Sequence, residues 1–264
     1  MTSDSSKKNT NHVRINKRQF FVFFFCLILG LFVRLCHIIR YPVQPRDAYA
    51  YEFVISEWEK TNTISDQISF FPFSLWILRI PNHFFNYDIV KGAVVINLLL
   101  GLLIIAVSIQ ILSLLFKKNS VILISGCIVA THPAFVDYSC SCLRENCYLF
   151  FSILSLLFLV MYFRKIEIPY LLPSSLFAAI AFLCRLEGLE FSFVFLIIVF
   201  FLFIFKKIRF RAAFLHGLLY CFCFFSVVAT ICYSFAFNSL DSNRLQSRFD
   251  LNKIFYLLTN DKDL

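Results

Sequence analysis

Seven apolar stretches, most of them near the length needed to cross a bilayer, dictate what this chain can become. They run Gln19–Ile38, Ile89–Phe116, Val121–Val136, Cys147–Phe163, Ile168–Cys184, Leu189–Phe205 and Ala212–Phe237. A spanning helix needs about 20 apolar residues, with a range of about 17–25. The second and seventh stretches are ample. The third to sixth sit at or below the lower limit, so the polar residues that join them are expected to dip into the interface. Of 264 residues 59% are apolar and only 16% charged, too few polar side chains to cover a soluble domain of this size. Low-complexity disorder is excluded for the same reason. The expected fold class is all-α: a polytopic transmembrane helical protein of about seven spans.

The net charge of +9 acquires meaning once the loops are assigned to sides. Placing the amino terminus in the cytoplasm gathers Lys7, Lys8, Arg14, Lys17 and Arg18 there. Lys117, Lys118, Arg164, Lys165, Lys206, Lys207, Arg209 and Arg211 fall on the same side. These are 13 of the 25 basic residues, accompanied only by Asp4 and Glu167. Membrane chains concentrate Lys and Arg in short cytoplasmic loops, so count and orientation support each other. The charge is a topology signal, and a nucleic-acid partner loses its motive. The first stretch is too long for a signal-peptide core and lacks a small-x-small cleavage site, which makes it an uncleaved anchor. The expected organisation is a basic tail over residues 1–18, a membrane module over 19–237 with an external loop over 39–88, and an external carboxyl-terminal segment over 238–264.

Most of the ten cysteines lie within apolar stretches and read as small buried filler. Cys140, Cys142 and Cys147 approach the outer side without C-x-x-C spacing, which disfavours zinc. A disulfide among them requires an oxidising compartment.

Polar residues gather on the outer side. In the long external segment, Tyr51, Val54, Ile55 and Trp58 recur at helical spacing with Glu52, Ser56 and Glu59 opposite. A second amphipathic stretch places Phe73, Trp76, Ile77, Ile80 and Phe84 on one face, with Pro81 expected to break it. Aromatic-rich helices of this type rest in the membrane interface, apolar face down. Arg34 lies near the outer end of the first span, Arg144-Glu145 just before the fourth, and Arg185-Leu186-Glu187-Gly188 between the fifth and sixth. Ionisable groups at that depth pair with one another or face a wet cavity, which makes them functional candidates. Each also has a plainer role. Asp47 stands where a helix N-cap belongs, Arg34 can snorkel to headgroups, and Arg185 with Glu187 can form a structural ion pair.

Taken in order, these residues resemble a known family. An arginine late in the first span (Leu31-Phe32-Val33-Arg34-Leu35), then proline, then Asp47-x-x-x-Tyr51, is similar to the opening of the GT-C superfamily of glycosyltransferases. That superfamily includes protein mannosyltransferase-like and aminoarabinose transferase-like enzymes and the RgtA/B/C/D-like bacterial group. His132-Pro133, followed by Ser139 or Ser141 and Glu145, and Phe182-Leu183-Cys184-Arg185-Leu186-Glu187-Gly188 resemble later segments of the same enzymes. The likeness covers about residues 20 to 205. It implies a shared seven-helix module with two interfacial helices after the first span. It further implies transfer of a sugar from a polyprenyl-phosphate donor to an acceptor at the outer face. By that resemblance Asp47 is the general base, while Arg144, Arg185 and Arg34 bind the donor phosphate. Glu145 and Glu187 support those arginines or hold a divalent cation, and Tyr51 and His132 position acceptor or donor. The chain departs from the family in carrying Ala48 where many members have a second acid, and in ending soon after the seventh stretch.

Two other readings compete. One is a non-catalytic membrane subunit or decayed enzyme on the same module, working with a partner subunit that supplies acceptor binding. The other is a small transporter, which would place its charges near the bilayer midplane on repeated halves rather than at one surface. Short loops fit a bacterial inner membrane, and neither the sugar nor the acceptor is specified by any motif.

Overall fold

The computed structural model describes residues 17–41, 43–61, 72–85 and 88–238, whose regular structure is all helical, with no strand among them. Ten α-helices follow in chain order: α1 (Lys17–Arg40), α2 (Arg46–Thr61), α3 (Pro72–Arg79), α4 (Ile89–Leu115), α5 (Asn119–Thr131), α6 (Pro133–Cys140), α7 (Glu145–Lys165), α8 (Ile168–Cys184), α9 (Leu189–Ile204) and α10 (Phe210–Asn238). The basic tail and the carboxyl-terminal segment expected at the chain's ends lie almost wholly outside the described residues.

Five helices are long and apolar enough to cross a membrane: those in α1, α4, α7, α9 and α10. Large side chains such as Phe21, Phe25, Phe200, Phe214, Phe222 and Phe225 remain exposed on their outer faces. Such a surface is stable against lipid and not against water, which is consistent with a multi-pass membrane protein. At 17 residues α8 is shorter.

The stretch expected as one span, Val121–Val136, is instead two helices, α5 and α6, bent by 49° at a break. The cause is local. Proline disfavours helical backbone in the residue before it, so His132 turns extended (φ −60°, ψ 124°) and Pro133 opens the next helix at the position proline prefers. A broken helix exposes carbonyls that an apolar surrounding cannot satisfy. Arg34, fully buried, reaches across from α1 to meet them. Its Nη1 donates to the carbonyls of Gly30 and Ala130, both at 3.0 Å, and its Nη2 to that of Phe135 at 3.5 Å. Among the described residues no carboxylate pairs with it. The positive charge rests against the carbonyl end of α5, where the helix dipole favours a cation.

Small residues make room for that guanidinium. A Cβ on Gly101 of α4 would lie 2.7 Å from Cβ of Ser139 and 3.0 Å from Nε of Arg34.

The buried face of α2 is the one its spacing predicts: Tyr51, Val54, Ile55 and Trp58, with Ala48. It is covered by protein, since these residues share a core cluster with Leu75 and Leu78 of α3 and Ile89, Ala93 and Leu100 of α4. The face expected for α3 needs correction. Ser74, Leu75 and Leu78 are fully buried, whereas Trp76, Ile80 and Phe84 are exposed. The helix lasts only two turns before Pro81 tightens the chain into a 3-10 turn over Ile80–Phe84, and the 3.6-residue phase that would align Phe73 with Phe84 is lost. All ten cysteines are free thiols.

Gly101→Leu is expected to push Ser139 and Arg34 apart and to cost at least ~1–3 kcal/mol of stability, read as a lowered unfolding midpoint of the detergent-purified protein. Gly217→Leu on α10, where the nearest atom to a new Cβ is Leu196 Cδ2 at 4.0 Å, should leave the midpoint nearly unchanged.

Candidate functional site

Three connections that are distant in sequence meet at the same end of the helices. The first is the turn between α6 and α7. Ser141 and Cys142 are buried there, so their peptide groups need partners from the protein. Asn97, a polar residue inside the apolar α4, donates its amide to the carbonyls of Ser141 (2.7 Å) and Leu143 (2.8 Å). Asn146 in turn donates to the backbone carbonyl of Asn97 at 2.6 Å. From the link between α1 and α2, Oε1 of Gln44 accepts the N–H of Cys142 at 2.9 Å, and its amide donates to the carbonyl of Cys140 at 3.5 Å. The turn is thereby held on both sides, and it presents Arg144 and Glu145 at the start of α7.

The second connection joins α8 to α9. Its Arg185 N–H bonds to the carbonyl of Ala181 at 2.9 Å, and the next three residues coil back as a 3-10 turn. Gly188 lets the turn lie flat on α8, because a Cβ there would sit 2.5 Å from the backbone of Ala181 and Phe182. Folded this way, Arg185 stands between two carboxylates. Its Nη1 donates to Oε1 of Glu145 at 2.8 Å and its Nη2 to Oε1 of Glu187 at 2.6 Å. The Glu145 side chain is 17% exposed and that of Glu187 45%, but Glu187 is bound twice, since Nε of Arg185 also donates to its Oε2 at 3.2 Å. The guanidinium also lies 5.9 Å from the centre of the Tyr148 ring. Oε2 of Glu145 is buried with no hydrogen-bond partner.

The start of α2 supplies the third element. Tyr51 is buried beneath the Arg144 guanidinium, which lies 5.8 Å from its ring centre. Asp47, exposed, sits one helical turn upstream on the same side of α2. The Tyr51 hydroxyl is held above its ordinary value, first by burial; Arg144 opposes that shift, Glu145 and Asp47 add to it, and Arg185 opposes it. One phenol therefore senses all four charges. Asp47 does not serve as an N-cap. The helix begins at Arg46, which puts Asp47 inside the first turn, where the dipole still favours an anion. Its carboxylate has no cationic partner among the described residues.

The fold thus gathers Asp47, Tyr51, Arg144, Glu145, Arg185 and Glu187. It does not bring Arg34 or His132 to them. Arg34 is spent on the α5–α6 break, and His132 is exposed at that same break, its ring 5.0 Å from that of Phe135. A divalent cation does not fit the acids as they stand, since Glu145 and Glu187 both turn to Arg185. No group of three or more His, Cys, Asp or Glu among the described residues is arranged to hold an ion.

Sequence reasoning passed over Gln44, Asn97, Asn146 and Tyr148. Asn97 had a signal, as one of two amides, with Gln110, set inside the apolar run of α4. Another missed pair is His37 with Asp137, 3.1 Å apart, which ties the end of α1 to α6. Comparison with family models and with curated proteins finds no match for the chain.

Asn97→Leu is expected to strand two buried carbonyls at ~1–3 kcal/mol each, lowering the unfolding midpoint more than Ser113→Leu at the end of the same helix. Glu187→Gln should cost less than ~1 kcal/mol, as exposed ion pairs do, and Glu145→Gln measurably more in the same denaturation assay.

Proposed function

We propose that this chain is a membrane-embedded glycosyltransferase of the GT-C type, moving a sugar from a polyprenyl-phosphate donor to an acceptor at one membrane surface, with Asp47 as general base. The observation that carries this reading is the meeting of Asp47, Arg144 and Arg185, from three separate connections, around Tyr51. A lipid-linked donor has to be met at the bilayer surface with its phosphate among cations, and guanidinium suits phosphate because its planar fork bonds two oxygens and keeps its charge.

In this reading the acceptor hydroxyl oxygen attacks the anomeric carbon while Asp47 takes its proton. The bond from that carbon to the phosphate oxygen breaks, and the polyprenyl phosphate leaves as an anion. No strong general acid is needed, so one carboxylate suffices, unlike glycoside hydrolysis, where two flank the bond. The freedom of Asp47 from any ion pair suits a base. Arg144, over the Tyr51 ring, is one candidate phosphate ligand. Arg185 already holds two carboxylates, and a donor phosphate reaches it by displacing the more exposed, Glu187. Arg34 is assigned to the fold and not to the donor.

The same proposal takes α8 and the bent α5–α6 pair as spans, giving seven, with α2 and α3 at the outer interface and the amino terminus cytoplasmic. A bacterial inner membrane fits that layout.

One observation favours the second reading, a non-catalytic subunit on the same module. Acids outnumber cations around the site, with Asp47, Glu145 and Glu187 against Arg144 and Arg185, and the Glu145–Arg185–Glu187 cluster is a closed staple. Transfer assays on membranes holding the full chain, supplied with a panel of radiolabelled polyprenyl-phosphate sugars, separate the two. Wild type is expected to transfer, and Asp47→Asn to fall by ~10²–10⁴-fold at equal expression. Transfer that survives in Asp47→Asn removes the base, and a silent wild type favours the subunit.

A further inference from the structure

At the end of the helices opposite the Tyr51 cluster, α1 and α5 part around a cavity of about 400 Å³. Arg18, Phe21 and Val22 form its α1 wall, at positions i, i+3 and i+4. Asn119, Ser120 and Leu123 form the other, at the start of α5. The lining changes character with depth. Arg18, Asn119 and Ser120 stand at the chain ends of their helices, and Phe21, Val22 and Leu123 lie one turn further in.

Charge around this mouth is of one sign. The same end of the molecule carries Lys117 and Lys118 before α5, Arg164 and Lys165 closing α7, and Lys206, Lys207, Arg209 and Arg211 between α9 and α10, against Glu167 alone among the described residues. Arg164 donates to the carbonyl of Leu114 at 2.7 Å, which draws the ends of α7 and α4 together beside the α4–α5 link. No side chain caps α5, whose N-cap is Lys118, so its first N–H groups add donors to the mouth.

We propose that this cavity binds an anionic phospholipid of the leaflet that meets this end of the bundle. Its phosphate sits among Arg18, Asn119, Ser120 and the neighbouring Lys117–Lys118 pair, and an acyl chain runs down over Phe21, Val22 and Leu123. The occupant is a lipid and not a free anion because half the lining is apolar and leads along α1 and α5, where Phe25, Ile124 and Ile128 stay exposed to the bilayer. A zwitterionic lipid would gain little from an end so uniformly cationic. The proposal is independent of any sugar transfer.

The test uses the full chain in detergent, mixed with equimolar palmitoyl-oleoyl phosphatidylglycerol and phosphatidylcholine and read by native mass spectrometry. Wild type is expected to retain phosphatidylglycerol preferentially. R18Q should reduce that preference about fivefold, the worth of one cation near an anionic membrane surface. S120W, which blocks the mouth between α1 and α5 and keeps every charge, should abolish it, whereas K206Q/K207Q, at the same end but outside the cavity, should retain it. Equal retention of the two lipids by wild type overturns the proposal. So does a loss in K206Q/K207Q as large as in R18Q, which would make the attraction diffuse, or displacement of the lipid by millimolar inorganic phosphate.

Discussion

A backbone that leaves helical geometry inside an apolar surrounding must have its peptide groups bonded by something, and this requirement organises the molecule. Two such departures lie close together in the chain: the break at His132-Pro133 and the buried turn at residues 141–144. Arg34 answers the first, with one carbonyl from each side of the break, Ala130 and Phe135, on one guanidinium. Asn97 and Gln44 answer the second, with four bonds to its peptide groups and those beside it. The small residues Gly30 and Gly101 matter because they let Arg34 approach.

The cluster at the start of α2 follows from that scaffolding. With the α6–α7 turn fixed, α7 begins at a set height, and its first turn meets the α8–α9 connection through Glu145 and Arg185. Gly188 sets how flat the latter connection lies. Tyr51 then closes the arrangement from α2, under Arg144. Three connections from different parts of the chain converge because the backbone groups of the buried turn and the Arg185 guanidinium have found their bonds. Asp47 is the exception, an exposed acid with no cationic partner among the described residues, on the same side of α2 as Tyr51.

Helices are polarised in composition as well. One end carries the mixed charges of the candidate site, and the other an almost unbroken set of lysines and arginines. The same asymmetry that reads as orientation in a membrane also provides a basic mouth over the α1–α5 cavity. A single distribution of charge thus underlies both the orientation expected from the sequence and the lipid preference proposed above.

The apolar runs, read alone, give nearly every helix and its class, because burying about 20 apolar residues in lipid depends on composition and length and not on neighbours. The buried face of α2 is legible for a similar reason: Tyr51, Val54, Ile55 and Trp58 keep one helical phase through about two turns. Pro133 lies in plain view, yet the depth of the bend and the arginine that stabilises it come from α1, a hundred residues away. Arg34 looks the same in a sequence whether it snorkels, binds phosphate or caps a broken helix. Tertiary packing chooses among these, since only the positions of the carbonyls of Ala130 and Phe135 decide what the guanidinium can reach. The same holds for Arg185, whose partners are one neighbour in sequence and one from a different helix. Spacing along a chain fixes periodicity and polarity, while which charge meets which depends on distances that exist only after the helices have packed.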